Sequence, residues 1–502
     1  MKICVLEHPR KASVKRFNDI ANTPLWSCLM GGYAAASFET AGYDTTFLDQ
    51  SGPGCTFEGV LEKLECLSPD LLAVNAVYFW EHTSILFRFL STLRERGFSG
   101  HLTLFGFFPT LVYREILNRY PAVDSIAVGE FEHTLAALAR AMDKGKDPAS
   151  IPGLAVVSGS GRVRYANRPP VKNPDEFAFP KRSSLSGTVT ILASRGCYNH
   201  CSFCPVPPFY NQGALWRGRS PGNIVREIER LTDQGVREFY FADPNFIGPG
   251  KRGKKRVIDL MKQIRHLNIG FGMETRPQDL DDDIMTHLTA SGFNSLLMGV
   301  ESGSDRILGG INKRSDPAGA GRAIELCRKF GIEPEIGFLM FVPDSRVEDL
   351  KHNFEFLMKH SLLDRLDRTA NLLCHCQIVL AGTSGYRYFD AQERLEKTGI
   401  FGFEADVRFL DPKVKYISDL VVFACHTVLR QMSEKRSPIY WDAPDTPVFS
   451  KVNQYLVNLF SSLVNTPVDR AGERRTPESM DHRKKAVLQD INRLLSVETT
   501  AA

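Results

Sequence analysis

The sequence predicts an α/β chain: a doubly wound parallel sheet over residues 1–150, a linker over 151–186, a partial (β/α)6 barrel over 187–410, and a mainly helical region over 411–502. Three observations carry this. Short apolar runs alternate with helical patterns through residues 2–145, a second series with the same rhythm starts near Val189, and the rhythm stops near Asp411, where longer apolar stretches take over.

In the first series the expected strands are Ile3–Leu6, Thr45–Leu48, Leu71–Asn75, Leu102–Phe105 and Ser125–Val128, with helices beginning near Leu29, Phe57, Thr83, Leu111 and Glu132. Ligands of such sheets sit beyond the carboxyl ends of the strands, where the strand order reverses. From Pro152 to Ser186 the chain turns rich in Gly, Pro, Lys and Asn, and reads as a linker with a hairpin at Leu154–Val157 and Val163–Tyr165. The second series gives strands at Val189–Ala193, Glu238–Ala242, Gly270–Glu274, Ser295–Val300, Glu335–Phe341 and Leu372–Val379. A barrel of such units does its chemistry at the carboxyl ends of its strands. After Asp411, the apolar stretches Ile417–Leu429 and Val452–Val464 suggest helices. Tyr440, Trp441 and Phe449 are expected to cap the barrel mouth, and the charged last thirty residues to fray.

Over 502 residues, 43% apolar and 24% charged is ordinary for a globular chain, and a net charge of +4 gives no argument for nucleic acid. The densest basic run, Lys251–Arg256, reads as a solvated loop entering a helix. No run of about 18 uncharged apolar residues occurs, so no transmembrane segment is expected. Met1–Leu6 reads as a buried strand, not a signal peptide. Eleven cysteines without secretory features point to a reducing, cytoplasmic setting.

Three of those cysteines fall within Cys197-Tyr198-Asn199-His200-Cys201-Ser202-Phe203-Cys204, directly after the first barrel strand. Thiolates suit zinc and iron–sulfur clusters. Three cysteines leave a zinc site incomplete unless His200 joins, whereas three on one loop suit a four-iron cluster with one iron open. On residue types alone, zinc with His200 and no metal at all both stay open.

The Cys-x3-Cys-x2-Cys spacing, with Phe203 before the last cysteine, resembles the radical S-adenosylmethionine (SAM) superfamily. The resemblance implies a [4Fe–4S] cluster on Cys197, Cys201 and Cys204, SAM on the fourth iron, and an electron donor such as flavodoxin or ferredoxin. It also assigns cofactor contacts to later strand ends. Asp243 and Asn245 stand where the superfamily often has a Gly-Gly-Glu turn, Glu274 and Arg276 end the third strand, and Met298–Gly303 is similar to a common segment carrying Glu301. Phe341–Ser345 and Ala381-Gly382-Thr383 resemble two further turns of related enzymes. Cys374 and Cys376 are expected to share one face of the sixth strand, as core cysteines or as lumen contacts.

Gly31–Ala36, Ala41–Asp44 and Leu48-Asp49 resemble the start of the cobalamin-binding domain in the cobalamin-dependent radical subgroup, and so do Phe105–Thr110, Val123-Asp124 and Val128–Glu132. This implies a cobalamin-binding-like domain and a methyltransferase. One SAM would supply a methyl group through cobalamin, and a second the radical that activates an unactivated carbon of a small-molecule, lipid or natural-product substrate. The chain departs from the pattern in lacking Asp-x-His-x-x-Gly, and in having Phe107 and Phe108 where a glycine and a histidine are usual. The alternatives are a radical SAM enzyme without functional cobalamin, performing cyclisation, oxidation or carbon–carbon coupling, and a non-catalytic iron–sulfur binding protein. A tRNA methylthiotransferase-like layout would need cluster cysteines among Cys4, Cys28, Cys55 and Cys66, but Cys4 falls in a strand.

Overall fold

A computed structural model describes residues 1–10, 29–210, 215–442, 446–466 and 477–496; Cys28 lies outside them. The first sheet contains β1 (Ile3–Glu7), β2 (Thr45–Asp49), β3 (Leu71–Asn75), β4 (His101–Phe105) and β5 (Ser125–Ala127), parallel in the order 2-1-3-4-5. β1 and β3 are buried throughout, because helices cover both faces of a parallel sheet and an unbroken apolar run is what such a strand needs. Leu29–Thr40 and Glu132–Asp143 cover one face; Phe57–Leu67 and Thr83–Glu95 cover the other. The strand order reverses between β1 and β3, which sets a crevice at their carboxyl ends.

The hairpin expected within the linker is part of this sheet. β6 (Leu154–Val157) adds antiparallel to β5, and β7 (Val163–Tyr165) adds to β6. A bare β5 would present unpaired N–H and C=O groups, and the hairpin satisfies them.

The barrel begins with β8 (Val189–Ile191). A short antiparallel pair follows, β9 (Ser194–Gly196) with β10 (Trp216–Gly218), and then β11 (Glu238–Phe241), β12 (Gly270–Thr275), β13 (Phe293–Glu301) and β14 (Glu335–Phe338). β8 and β11 to β14 are parallel, each beside the next in sequence. Phe239, Phe241, Phe271, Met273, Leu296 and Met298 point outward into the helical layer. The alternate positions, among them Tyr240, Gly272, Glu274, Leu297 and Gly299, therefore face the lumen.

The sixth unit departs from expectation. Leu366–Cys374 is a helix, and the sixth strand shrinks to one parallel bridge between Cys376 and Phe341. Leu366, Ala370 and Leu373 recur at helical spacing and bury one face, a period that overrides the β-like look of the segment. Cys374 thus ends a helix, and both it and Cys376 pack with the barrel core. Beyond them, β15 (Val379–Leu380), β16 (Leu395–Lys397) and β17 (Glu404–Val407) form a small antiparallel sheet in the order 15-17-16. It leans on the first sheet: Tyr78 Oη donates to Glu404 Oε2 at 2.8 Å, and Phe403 packs on Tyr78 and Phe108 at 4.7 and 4.9 Å.

The C-terminal helices Pro412–Ser433, Pro447–Asn465 and Pro477–Ser496 dock on Val347–Lys359, on Leu366–Cys374 and on one another. They extend the barrel core outward, and Trp441, expected at the barrel mouth, is 62% exposed. The tail expected to fray includes a docked helix with Val487 and Ile491 buried. The basic run lies within the helix Gly250–Ile264, and Arg256 turns inward against Trp216 and Phe246. No helix among the described residues is long and apolar enough to cross a membrane.

Candidate functional site

β9 ends at Gly196, with φ at 77°, and a Cβ there would stand 1.9 Å from Leu215 O, so the turn into the cysteine loop demands glycine. Each of the three sulfurs faces an N–H donor. The Asn199 backbone reaches Cys197 Sγ at 3.5 Å, the Asn199 side chain reaches Cys201 Sγ at 3.0 Å, and the Val206 backbone serves Cys204. Burial pushes the Cys197 and Cys204 thiols up, and the neighbouring Cys201 adds to the rise, while the charges of Arg276 and Lys313 pull Cys197 down and Lys313 pulls Cys204 down. N–H donors and two cations around three sulfurs suit thiolates carrying an iron cluster.

A strap at Ile311–Arg314 fixes the loop. Ser202 N donates to Ile311 O at 2.8 Å, Asn312 Nδ2 to His200 O at 2.8 Å, and Asn199 Nδ2 to Lys313 O at 2.9 Å. Asn312 and Arg314 adopt left-handed conformations. The Arg276 guanidinium donates to the carbonyls of Lys313 and Arg314 and lies over the Tyr198 ring, while Tyr198 Oη donates to Asp279 at 2.6 Å. Buried Lys313 donates to Glu301 Oε1 at 2.8 Å. Glu301 itself sits at φ 71°, and Gly299 makes room for the pair. Sequence reasoning missed Asn199, Lys313 and the strap; Gly309-Gly310 and the polar Asn312-Lys313-Arg314 were the only hint.

The other residues singled out from the sequence fall into two groups. Glu274 faces the lumen, where Tyr240 Oη donates to it at 3.4 Å, and burial pushes it up to about 7. Phe203 packs beside Ile307, Ile311 and Val342 under the loop. Asp243 and Asn245 are instead engaged within the protein. Asp243 accepts from Ala193 N at 3.0 Å and from Ser194 Oγ, and burial lifts it to about 6. Asn245 Nδ2 donates to Asp279 at 2.7 Å, and its Oδ1 accepts from Gly248 N at 2.6 Å. Both brace β9 and the turn behind the loop.

Glu130 and Glu132, within the Val128–Glu132 segment, join the two sheets. Glu130 takes a bidentate pair from Arg217 at 2.9 and 3.0 Å, and Glu132 accepts from Arg195 at 2.8 Å; all four side chains are buried. Above this joint lies a narrow cleft of about 70 Å³. The first domain lines it with Asn75, Val77, Tyr78 and Phe107, at the strand order reversal, and the barrel with Leu192, Pro205 and Tyr210. Asn75 Oδ1 is buried without a partner, and its orientation is fixed because Nδ2 donates to Glu7 at 2.9 Å. Phe107 stacks on Phe209 at 4.1 Å, whereas Phe108 is 2% exposed and belongs to the core. A second cleft, of about 400 Å³, is lined by His200, Cys201, Cys204, Tyr165 and Arg387. Among the described residues, neither cleft is lined by the C-terminal helices.

Residues 191–357 match the model of the radical SAM superfamily. Along 384 residues the chain is 27% identical to an uncharacterized methyltransferase of Pyrococcus horikoshii, covering 72% of this chain and 78% of that one. Its fold is similar to that of the cobalamin-dependent S-adenosylmethionine radical enzyme OxsB with aqua-cobalamin and S-adenosylmethionine bound, at a TM-score of 0.73 and 16% identity, over 99% of this chain and 84% of that one. It is also similar to TsrM from Kitasatospora setae, a radical S-adenosylmethionine methyltransferase with cobalamin and a [4Fe–4S] cluster bound, at a TM-score of 0.66 and 16% identity, over 97% and 99% of the two chains. Residues 191–357 thus form a radical SAM superfamily domain, and the chain as a whole has the fold of the cobalamin-dependent radical SAM enzymes it resembles.

Proposed function

We propose that this enzyme is a cobalamin-dependent C-methyltransferase acting on an unactivated carbon of a small-molecule, lipid or natural-product substrate. The observation that carries this reading is the apolar cleft where the reversal point of the first sheet faces the barrel beside the cysteine loop. Among the described lining residues, the buried, unpaired acceptor Asn75 Oδ1 suits the amide side chains of a corrin, which are donors. Cluster, SAM and cobalamin, when bound, supply one-electron cleavage and a transferable methyl group.

The chain's own residues hold, orient and shield these groups. Cys197, Cys201 and Cys204 ligate iron, and Phe203 supports the loop from below. Glu301, held by Lys313, and Glu274 front the lumen and receive the polar groups of SAM, with Arg276 contributing its charge from the strap it holds; Asp243 and Asn245 act behind them. Val77, Tyr78 and Phe107 exclude water from the corrin side. The electron comes from a flavodoxin or ferredoxin in the cytoplasm.

The test is anaerobic reconstitution with iron, sulfide and cobalamin, then SAM labelled in its methyl group and a panel of metabolites. Corrin absorbance in proportion to protein, 5′-deoxyadenosine and a product carrying the label are expected. 5′-Deoxyadenosine without corrin uptake would replace methyl transfer by cyclisation, oxidation or coupling. A full cluster with no 5′-deoxyadenosine would leave an iron–sulfur binding protein.

A further inference from the structure

We propose that Asn199 is a positioning residue that sets the reduction potential of the cluster, through a hydrogen bond from its side-chain amide to Cys201 Sγ. The inference rests on the cluster being held by Cys197, Cys201 and Cys204. Asn199 is 2% exposed, so water does not compete for its hydrogens. Its Nδ2 faces three acceptors: Cys201 Sγ at 3.0 Å, Lys313 O at 2.9 Å and Asn312 O at 3.2 Å. Two carbonyls facing one amide atom fix that atom as nitrogen, since a swapped amide would set oxygen against oxygen. One hydrogen goes to the strap carbonyls; the geometry assigns the other to the sulfur.

The strap makes this donor rigid. Arg276 holds the Lys313 carbonyl from the other side, and Asn312 Nδ2 anchors the His200 carbonyl at 2.8 Å. Asn199 Oδ1, meanwhile, is buried with no partner. Tethering the loop by itself gives no reason to bury an amide one half of which is unsatisfied, whereas presenting an N–H to sulfur does. Hydrogen bonds to cluster sulfurs stabilise the reduced, more negative state and raise the potential. Removing the donor therefore makes the cluster harder to reduce.

Asn199→Leu, near in volume and without a donor, is compared with Asn312→Gly, which loosens the strap, keeps its left-handed backbone and touches no sulfur. Both are reconstituted in the full chain and titrated with a mediated reductant, the reduced cluster being followed by electron paramagnetic resonance. Asn199→Leu is expected to cut the reduced-to-oxidised ratio at a fixed potential about tenfold, ~59 mV for one electron. Asn312→Gly is expected to retain less iron, with the potential of its loaded fraction unchanged. A wild-type potential in Asn199→Leu overturns the proposal.

If Asn199→Leu takes up no iron, the wild-type enzyme decides. Asparagine labelled with nitrogen-15 only in its side-chain amide is expected to give a nitrogen coupling to the reduced cluster in pulsed resonance, and no coupling overturns the proposal. Iron and sulfide bound to the wild type report separately on the cluster itself.

Discussion

Glu130→Ala tests whether the joint between the first sheet and the barrel acts as a buried electrostatic clamp. In the native joint Arg217 is 8% exposed; the substitution leaves its guanidinium with Val171 O at 2.5 Å as its remaining hydrogen-bond partner, and strips Val171 N of an acceptor at 2.9 Å. Breaking one side of a buried ion pair costs about 3–5 kcal/mol, because a charge is left buried without its counterion. With a rim backbone N–H also losing its acceptor, about 4 kcal/mol is expected. For a domain of this size that is a fall of roughly 8–16 °C in the melting transition. The assay is calorimetry at a fixed scan rate, with limited proteolysis across residues 167–188 to show whether the joint has opened. The double variant Glu130→Leu with Arg217→Met removes both charges and keeps the volume, and should recover most of the loss. A single-variant shift below about 2 °C, or a double variant as unstable as Glu130→Ala, refutes the clamp.

Gly299→Ala puts a methyl group 2.7 Å from Glu301 Oε1 and 2.8 Å from Lys313 Nζ, the mobile ends of two side chains; iron content and fold should survive while 5′-deoxyadenosine formation falls about 100-fold. Phe107→Ala and Phe108→Ala should separate. The first trims a side chain lining the cleft and should increase corrin uptake, read by absorbance, whereas the second empties a core position and should cost about 3–5 kcal/mol in denaturant unfolding. His375 is lowered to about 4 by burial, with His426 adding to the effect. Its contribution to stability is present above its ordinary value of 6.5 and is lost as pH falls from there towards 4, about 3 kcal/mol in full. His375→Leu should therefore flatten the acid limb of melting temperature against pH; an unchanged slope would falsify this.

The parallel cores were legible because β1, β3 and the outward faces of β11 to β13 carry period and composition that allow one reading. The three cysteines were legible for the same reason, since their identity and spacing are their chemistry. Leu366–Cys374 was not. Seven of its nine residues are buried, and a short apolar run does not tell a strand from a buried helix. The strap was invisible because it works through main-chain carbonyls at Ile311, Asn312 and Lys313, which no side-chain pattern announces. Asp243 and Asn245 stood at the right strand end, but their partners, Ser194 and Asp279, come from elsewhere in the chain. The hairpin β6–β7 was read correctly as a hairpin, yet its attachment to β5 is a long-range pairing that local turn chemistry does not report.

That hairpin, together with the Lys181 carbonyl lodged so close to Gly32 that a Cβ would stand 2.2 Å from it, leaves the chain between the sheets almost no slack. Opening the joint would have to free the Lys181 carbonyl from Gly32 and uncover two buried arginines. The span from the reversal point of the first sheet to the three thiols is therefore a fixed gauge, the same for every molecule that enters. On the function proposed above, guests of different size would be accommodated from the open flank of the barrel, where Ser295 is exposed and Leu297 is 37% exposed. Attempts to redirect this enzyme to bulkier or smaller substrates belong at Tyr240 and Leu297, and the joint is best left untouched.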